Sequence, residues 1–134
     1  MQAEAEVEME SGSDNGADSA HPQVKKLQKE LNTGSVALVL LTLIERAEGP
    51  VYGYQIAKQL EQADATAAGK QAALYPVLRT MSANGLLASY VEPSVSGPPR
   101  RYYRITDEGR VVLREWKQVW ARNRAFVETV LGDA

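Results

Sequence analysis

The fold of this chain is decided by three short stretches, which read ALYPVLR at residues 73–79, NGLL at residues 84–87 and RRYYRITDEG at residues 100–109. Their residue types predict, in order, a helix, a glycine stop, a strand, a basic return, a second strand and the cap of another helix. A short helix followed at once by a basic hairpin is the layout of a winged helix-turn-helix. We therefore expect a mainly α fold with a small β-hairpin.

An amphipathic helix is predicted through the first stretch because its apolar residues recur at i, i+3, i+4 and i+7. These residues are Leu74, Val77, Leu78 and Met81. Pro76 is tolerated if the helix begins near Gln71 or Ala72, because the first four amides of a helix have no internal acceptor. Gly85 then supplies the left-handed residue that ends the helix.

The polar face of this helix carries Gln71, Tyr75 and Arg79, with Lys70 just before it. Side chains of these types contact bases and phosphates, so the face is a candidate for binding double-stranded DNA. An ordinary core helix with a solvated arginine is the alternative for this segment alone. The basic hairpin that follows favours DNA.

The hairpin is predicted from strands at residues 86–92 and 100–105, joined by the loop PSVSGPP at residues 93–99. Alternation divides the second strand into two faces: Arg101, Tyr103 and Ile105 on one, and Arg100, Tyr102 and Arg104 on the other. Ile105 favours the first face as the buried one. Arg100 and Arg101, at the loop end, are expected to meet phosphates or enter a minor groove, with solvated strand charges as the alternative.

Upstream, residues 36–44 are almost unbroken apolar but far too few to cross a bilayer. They predict a buried helix that begins near Ser35 and ends before Gly49 and Pro50, with a separate short leading helix at residues 22–31. A further short helix is predicted from about Gly53. Three short helices and a hairpin complete a winged helix-turn-helix domain over residues 22–105.

The motifs VYGYQIA (residues 51–57), ALYPVL with NGLL (73–78 and 84–87) and RYYRITDEG (101–109) resemble the signature stretches of the PadR transcriptional regulators. The resemblance covers roughly residues 31–131. It implies a dimeric bacterial DNA-binding protein, usually a repressor, with a C-terminal dimerisation region. The single terminal helix is similar to the short branch of the family, which includes multidrug-sensing repressors.

The resemblance also implies that the second helix, the third helix and the wing contact operator DNA. This adds Tyr54 to Gln71, Tyr75 and Arg79 as a predicted DNA contact. One departure stands just before the Leu-Tyr pair, where family members usually carry a small polar residue followed by Gly-Thr. This chain has KQAA at residues 70–73, so a lysine charge and a glutamine amide replace a threonine hydroxyl. The operator sequence therefore does not carry over from the family.

Charge is distributed unevenly along the chain. Residues 1–20 contain six acids and no lysine or arginine, which leaves 15 bases against 11 acids, a net of +4, in the rest. Residues 70–104 hold five bases and one acid. The basic segment thus coincides with the predicted DNA contacts. Residues 1–21 are predicted to be a disordered acidic tail, which either competes with DNA for the basic face or only keeps the domain soluble.

The last segment, residues 106–134, predicts a long dimerisation helix with Thr106 as its N-cap. Its apolar residues recur at alternating spacings of three and four residues if Asn123 takes one of the positions. We call this apolar stripe the seam. The seam residues are Leu113, Trp116, Trp120, Val127 and Val130. A helix of about 38 Å is longer than three short helices can cover, so a second copy of the chain is expected to cover it.

Trp116 and Trp120 admit two interpretations. They pack the dimer interface, or they line a slot between subunits for a flat hydrophobic or cationic effector. The resemblance to the multidrug-sensing branch implies the slot for Trp120, because it matches a ligand-binding tryptophan there. A regulator without small-molecule sensing remains the alternative.

Enzyme chemistry finds little support in the sequence. The chain has one histidine, His21, and no cysteine, so metal-ligand spacings, thiol chemistry and a Ser-His-Asp set are absent from its motifs. No cofactor is expected. A winged helix that binds protein is the second rival, since the fold serves both purposes. Arginines in the helix and hairpin favour DNA as the partner, and a cytoplasmic location is expected.

Overall fold

The computed structural model describes residues 21–63 and 71–132, and of residues 71–73 the backbone alone. The elements in chain order are α1 (Pro22–Arg46), β1 (Val51–Tyr52), α2 (Gly53–Ala63), α3 (Gln71–Ala83), β2 (Leu87–Glu92), β3 (Arg100–Ile105) and α4 (Asp107–Leu131). This confirms the predicted mainly helical fold with a small sheet and a long terminal helix. The acidic residues 1–20 and Lys70 lie outside the described residues.

The described residues fall into two units that divide between Gly34 and Ser35, and α1 runs through the boundary. The prediction of two separate helices here is wrong, because α1 is one helix of 25 residues. Gly34 costs a helix only about 1 kcal/mol relative to alanine, and unlike proline it keeps its amide donor. In the first unit an ion pair of 2.6 Å between Lys26 and Glu30 supports the helix, and Gln28 donates to Asn32 at 2.9 Å.

The sheet has three antiparallel strands in the order β1-β3-β2, so the predicted hairpin is joined by a strand that the sequence did not indicate. β1 pairs Val51 with Tyr103 and Tyr52 with Tyr102. Two residues are too few to show the alternation by which a strand is recognised. The added strand places α2 directly beside the hairpin.

The core of the second unit is built by all its helices and the inner face of the sheet. Its most completely buried side chains are Leu40, Leu41, Ile56, Leu74, Leu78 and Leu113. Burial of Leu74, Leu78 and Met81 confirms the predicted inward stripe of α3. Tyr103 and Ile105 are buried as well, which confirms the inner face of β3.

A close junction ties α3, the hairpin and α4 together. Gly85 ends α3 with a φ of +82°, and the Thr106 hydroxyl donates to its carbonyl at 2.6 Å. The same hydroxyl accepts the Gly109 amide at 2.9 Å, so Thr106 is the N-cap of α4 as predicted. Gly109 packs so closely on the Leu86 carbonyl that no Cβ fits between them.

The two ends of α4 differ in environment. Leu113 is 2% exposed and Trp116 is half-buried against the core of its own chain, so Leu113 is not open to a partner as the seam prediction required. The seam spacing could not reveal this, because the first two turns of α4 satisfy it while packing inward. From Lys117 to Gly132 every residue is exposed. Among the described residues, no helix is both long and apolar enough to cross a membrane.

Candidate nucleic-acid interface

The outward face of α3 presents Tyr75 and Arg79, opposite the leucines that the helix buries. Tyr75 is half exposed, and its ring rests on the first residue of α2, since a Cβ on Gly53 would lie 2.5 Å from the ring. Only glycine allows the two helices to approach this closely without moving the tyrosine. The crossing of α2 and α3 therefore fixes where Tyr75 points.

Arg101 joins this face from the hairpin. It lies on the same face of β3 as Tyr103, and its Nη1 donates to the Ser89 hydroxyl at 3.1 Å. Burial raises the pKa of the Tyr103 phenol, and the positive charges of Arg101 and Arg79 oppose that rise. Arg79 from α3 and Arg101 from β3 are thus both near this one phenol. We call Tyr75, Arg79 and Arg101 the cationic face.

Arg100 lies on the opposite face of the hairpin. Its guanidinium carbon is 4.6 Å from the centre of the Tyr52 ring, and its cross-strand partner is Glu92. A cation over an aromatic ring is attracted to it by about 0.5 to 2 kcal/mol. Arg100 and Arg101, both predicted to contact DNA from the wing, thus lie on opposite faces of the strand, as the alternation of the sequence predicts.

Four tyrosines form a row, of which three lie on the sheet and Tyr54 lies at the start of α2. Ring centres are 6.4 Å apart for Tyr54 and Tyr52, 5.4 Å for Tyr52 and Tyr102, and 5.5 Å for Tyr102 and Tyr90. Sequence reasoning selected only Tyr54, because the pairing of Tyr52 with Tyr102 depends on the unrecognised strand β1. Cross-strand aromatic pairs stiffen a sheet, so the row holds the hairpin against α2.

Tyr54 links this row to the cationic face. A depression of about 270 Å³ between α2 and α3 is lined by Tyr54, Ala57, Lys58, Glu61, Leu74 and Tyr75. The Lys58 ammonium lies 5.8 Å from the centre of the Tyr54 ring, and Tyr54 is 59% exposed. Gln71 begins α3, but its side chain is outside the described residues, as is Lys70 altogether.

The arginines of α3 and the hairpin take part in no ion pair with another described residue. Within the part of the chain that the structure describes, ion pairs join Lys26 to Glu30, Arg110 to Glu45 and Arg124 to Glu128. None of these six residues belongs to α3 or the hairpin. Uncompensated guanidinium groups beside an exposed tyrosine are suited to phosphate oxygens and base edges.

The two tryptophans proposed for a ligand lie in different environments. Trp116 packs against the core, whereas Trp120, one turn later, is 47% exposed. No described group of histidine, cysteine or acidic side chains is arranged to hold a metal ion. His21 instead accepts the Gln23 amide on its Nδ1 at 3.0 Å, at the start of α1.

Known proteins resemble this chain in sequence and fold. The sequence profile of the transcriptional regulator PadR-like family matches residues 40–115, more than half of the chain. A PadR family transcriptional regulator from Eggerthella lenta DSM 2243 is 35% identical, with a TM-score of 0.71 over 84% of this chain and 95% of that one. A PadR-like transcriptional regulator from Bacillus cereus strain ATCC 14579 is 30% identical, with a TM-score of 0.62 over 78% and 99%. An uncharacterized protein from Lysinibacillus sphaericus is 26% identical over 103 residues, 76% of this chain and 93% of the relative.

Proposed function

Because the chain belongs to the PadR-like family of transcriptional regulators, we propose that it acts as a dimeric, sequence-specific repressor that a small flat ligand releases from its operator. The observation that carries the DNA contact is the cationic face. Arg79 from α3 and Arg101 from the hairpin are both near the Tyr103 phenol, and neither has an acidic partner among the described ion pairs.

Helix α3 is the element that enters the major groove in this proposal. Its first turn holds Gln71, whose amide suits the donor and acceptor pair of an adenine edge. Tyr75 and Arg79 follow one and two turns later on the same face. Arg101 meets the backbone or the adjacent minor groove, and Tyr54 adds a contact from the start of α2. Lys70 completes the set with a phosphate contact.

Release by a ligand is assigned to Trp120. Its half-exposed ring lies on the part of α4 that the chain's own core leaves uncovered. A flat aromatic or cationic effector bound there between two subunits would change the distance between their α3 helices. Operator half-sites lie about one DNA turn apart, so a small change of this distance weakens binding.

A salt titration of binding to a labelled random duplex tests the DNA contact. Each phosphate that the protein neutralises contributes about −0.9 to the slope of log affinity against log salt. A steep loss of affinity with salt is expected for the parent chain. A flat dependence would instead favour a winged helix that binds protein, for which the exposed tyrosine row on the outer sheet face is the candidate surface.

A further inference from the structure

Gly53 occupies a helix position at which the backbone does not require glycine. It is the first residue of α2, and the amide of the preceding Tyr52 donates to the Gln55 side-chain oxygen at 2.9 Å. That bond is one half of a capping box, in which Tyr52 and not Gly53 is the capping residue. Gly53 is also not among the described glycines with a positive φ. Since alanine is the better helix former, the glycine has another cause.

The missing side chain of Gly53 leaves room for the Tyr75 ring. A Cβ on Gly53 would lie 2.5 Å from Cε1 of that ring, 3.0 Å from its Oη and 3.1 Å from its Cζ. Carbon atoms in contact stay about 3.5 to 4.0 Å apart, so a methyl group would displace the ring by about 1 Å or more. The ring therefore lies where any other side chain at position 53 would have to be.

This close contact fixes an exposed side chain, not a core one. Tyr75 is 48% exposed, whereas Leu74 and Leu78 of the same helix are fully buried. The atoms that a methyl group would meet belong to the far end of the tyrosine ring. An exposed ring can turn aside without opening a cavity in the core, so the contact contributes little to packing. What it determines is the direction in which Tyr75 points.

Tyr75 points towards the arginines of the cationic face. Arg79 follows it by one turn on α3. The pKa of the Tyr103 phenol is raised by burial, lowered by Arg101 and Arg79, and raised further by the Tyr75 phenol. Tyr75 and the two arginines are therefore all near the same buried phenol. A shift of the Tyr75 ring would change its position relative to both guanidinium groups.

We propose that Gly53 is a positioning residue that determines DNA sequence preference through Tyr75, by keeping the ring seated on the start of α2. The inference rests on the proposed DNA-binding function and adds a residue that has no side chain with which to contact DNA. Base edges are distinguished by the placement of single donors and acceptors, so a contact displaced by about 1 Å loses discrimination. Phosphate contacts such as that of Arg101 carry no sequence information directly. Gly53 therefore governs specificity more than overall affinity.

A double-mutant cycle with Gly53→Ala and Tyr75→Ala in the full-length chain tests this assignment. The probes are the duplex that the parent chain enriches from a random pool and a random-sequence duplex of the same length. Gly53→Ala should lose at least about fivefold in affinity for the enriched duplex, which is the loss of one base contact, and less than about twofold for the random one. In the Tyr75→Ala background the same substitution should have no effect, because the ring is no longer there to be displaced.

Gly34→Ala is the matched control. It places the same methyl group in a helix, but a Cβ there would meet no atom within 4 Å. This variant should bind both duplexes like the parent chain. Urea unfolding of Gly53→Ala should show a stability no lower than that of the parent, because alanine favours the helix and the exposed ring yields. The ratio of the two affinities thus separates positioning of Tyr75 from a change in folding.

The outcomes separate this assignment from the proposed function. An equal loss of affinity from Gly53→Ala in both Tyr75 backgrounds would overturn it, since the methyl group would then act on α2 itself. A loss of folding stability would overturn it too, because the glycine would serve the packing of α2 on α3. An unchanged affinity ratio, in a parent chain that binds its enriched duplex, would overturn the role of Gly53 and leave the regulator intact. A parent chain that binds no duplex would instead overturn the proposed function, and this assignment with it.

Discussion

Single glycines decide how closely the elements of this protein approach one another. Gly109 lets the first turn of α4 touch the Leu86 carbonyl, and Gly53 lets the Tyr75 ring rest on α2. Gly34, by contrast, faces open space, since no atom would lie within 4 Å of a Cβ added to it. Replacing glycine with alanine is therefore expected to destabilise the protein at Gly109 and to stabilise it at Gly34.

Gly109→Ala should destabilise the protein by at least about 1 to 3 kcal/mol, because its Cβ collides with backbone that the Thr106 bonds hold in place. Gly34→Ala should stabilise it by up to about 1 kcal/mol through helix propensity alone. Urea unfolding of both variants beside the parent measures the difference. Equal stability of Gly109→Ala and the parent would contradict the tight junction.

Arg101→Ala should weaken binding to every duplex and reduce the salt slope by about one unit, because Arg101 lies on the cationic face. Arg100→Ala is the matched control, since the two arginines are adjacent but Arg100 covers the Tyr52 ring on the other side of the hairpin. Its slope should stay near that of the parent. Equal losses in both variants would show that the whole wing tip, not one face of it, meets the DNA.

Tyr103 should make stability depend on alkaline pH. Burial raises its pKa above the ordinary 10.0, so the folded state holds the phenol proton more tightly than the unfolded chain does. The resulting stability is fully present below about pH 10 and is lost as pH rises through the raised pKa. Urea unfolding at several alkaline pH values should show a steeper decline for the parent than for Tyr103→Phe. Parallel declines would contradict the assignment.

At the level of elements, helix α3 was predictable from the sequence and helix α1 was not. Apolar spacing and the glycine stop predict α3 closely, because both signals are local. The division of α1 was predicted wrongly because the apolar run begins only at Val36, yet the polar residues before it continue the same helix. Strand β1, and with it the contact of Arg100 with Tyr52, depends on pairing between distant segments, which one sequence does not display.

Truncation should separate the two functions of α4. A chain ending at Arg110 loses Leu113, which is fully buried, and should not fold, since removing one buried leucine side chain already costs about 2 to 5 kcal/mol. A chain ending at Lys117 keeps Leu113 and Trp116 in the core but loses the exposed apolar residues that follow, so it should fold as a monomer. Circular dichroism and sedimentation of the two chains give the comparison. A dimeric chain ending at Lys117 would place the interface elsewhere.

On the scale of the whole molecule, the proposal couples two surfaces through one helix. In the proposed function the cationic face would hold DNA, and residues 117–131 of α4 would hold the partner and the effector. Thr106 and Gly109 join α4 closely to the hairpin, so in the proposed dimer a change between the two α4 helices would be transmitted to both wings. Binding of effector and of DNA must then weaken each other by the same factor.

Planar cationic dyes should quench the tryptophan fluorescence of the parent more strongly than that of Trp120→Ala, because Trp120 is the indole open to a ligand. Trp116, packed on the core, should contribute little to the quenching. Adding operator DNA should lower the affinity of the protein for the dye. The dye should lower the affinity of the protein for operator DNA by the same factor. Equal quenching of parent and variant would leave the tryptophans with a packing role alone.

The central claim, that a dimer reads operator DNA, is tested most directly by selecting bound duplexes from a random pool. Sedimentation then measures the number of protein chains per selected duplex. A dimeric regulator that reads DNA with one α3 helix per subunit should enrich two inverted copies of one half-site, centred about one DNA turn apart, with two chains bound. Gln71→Ala should alter the enriched half-site without changing this spacing. Enrichment of no sequence, or of one unpaired site bound by a single chain, would contradict the account.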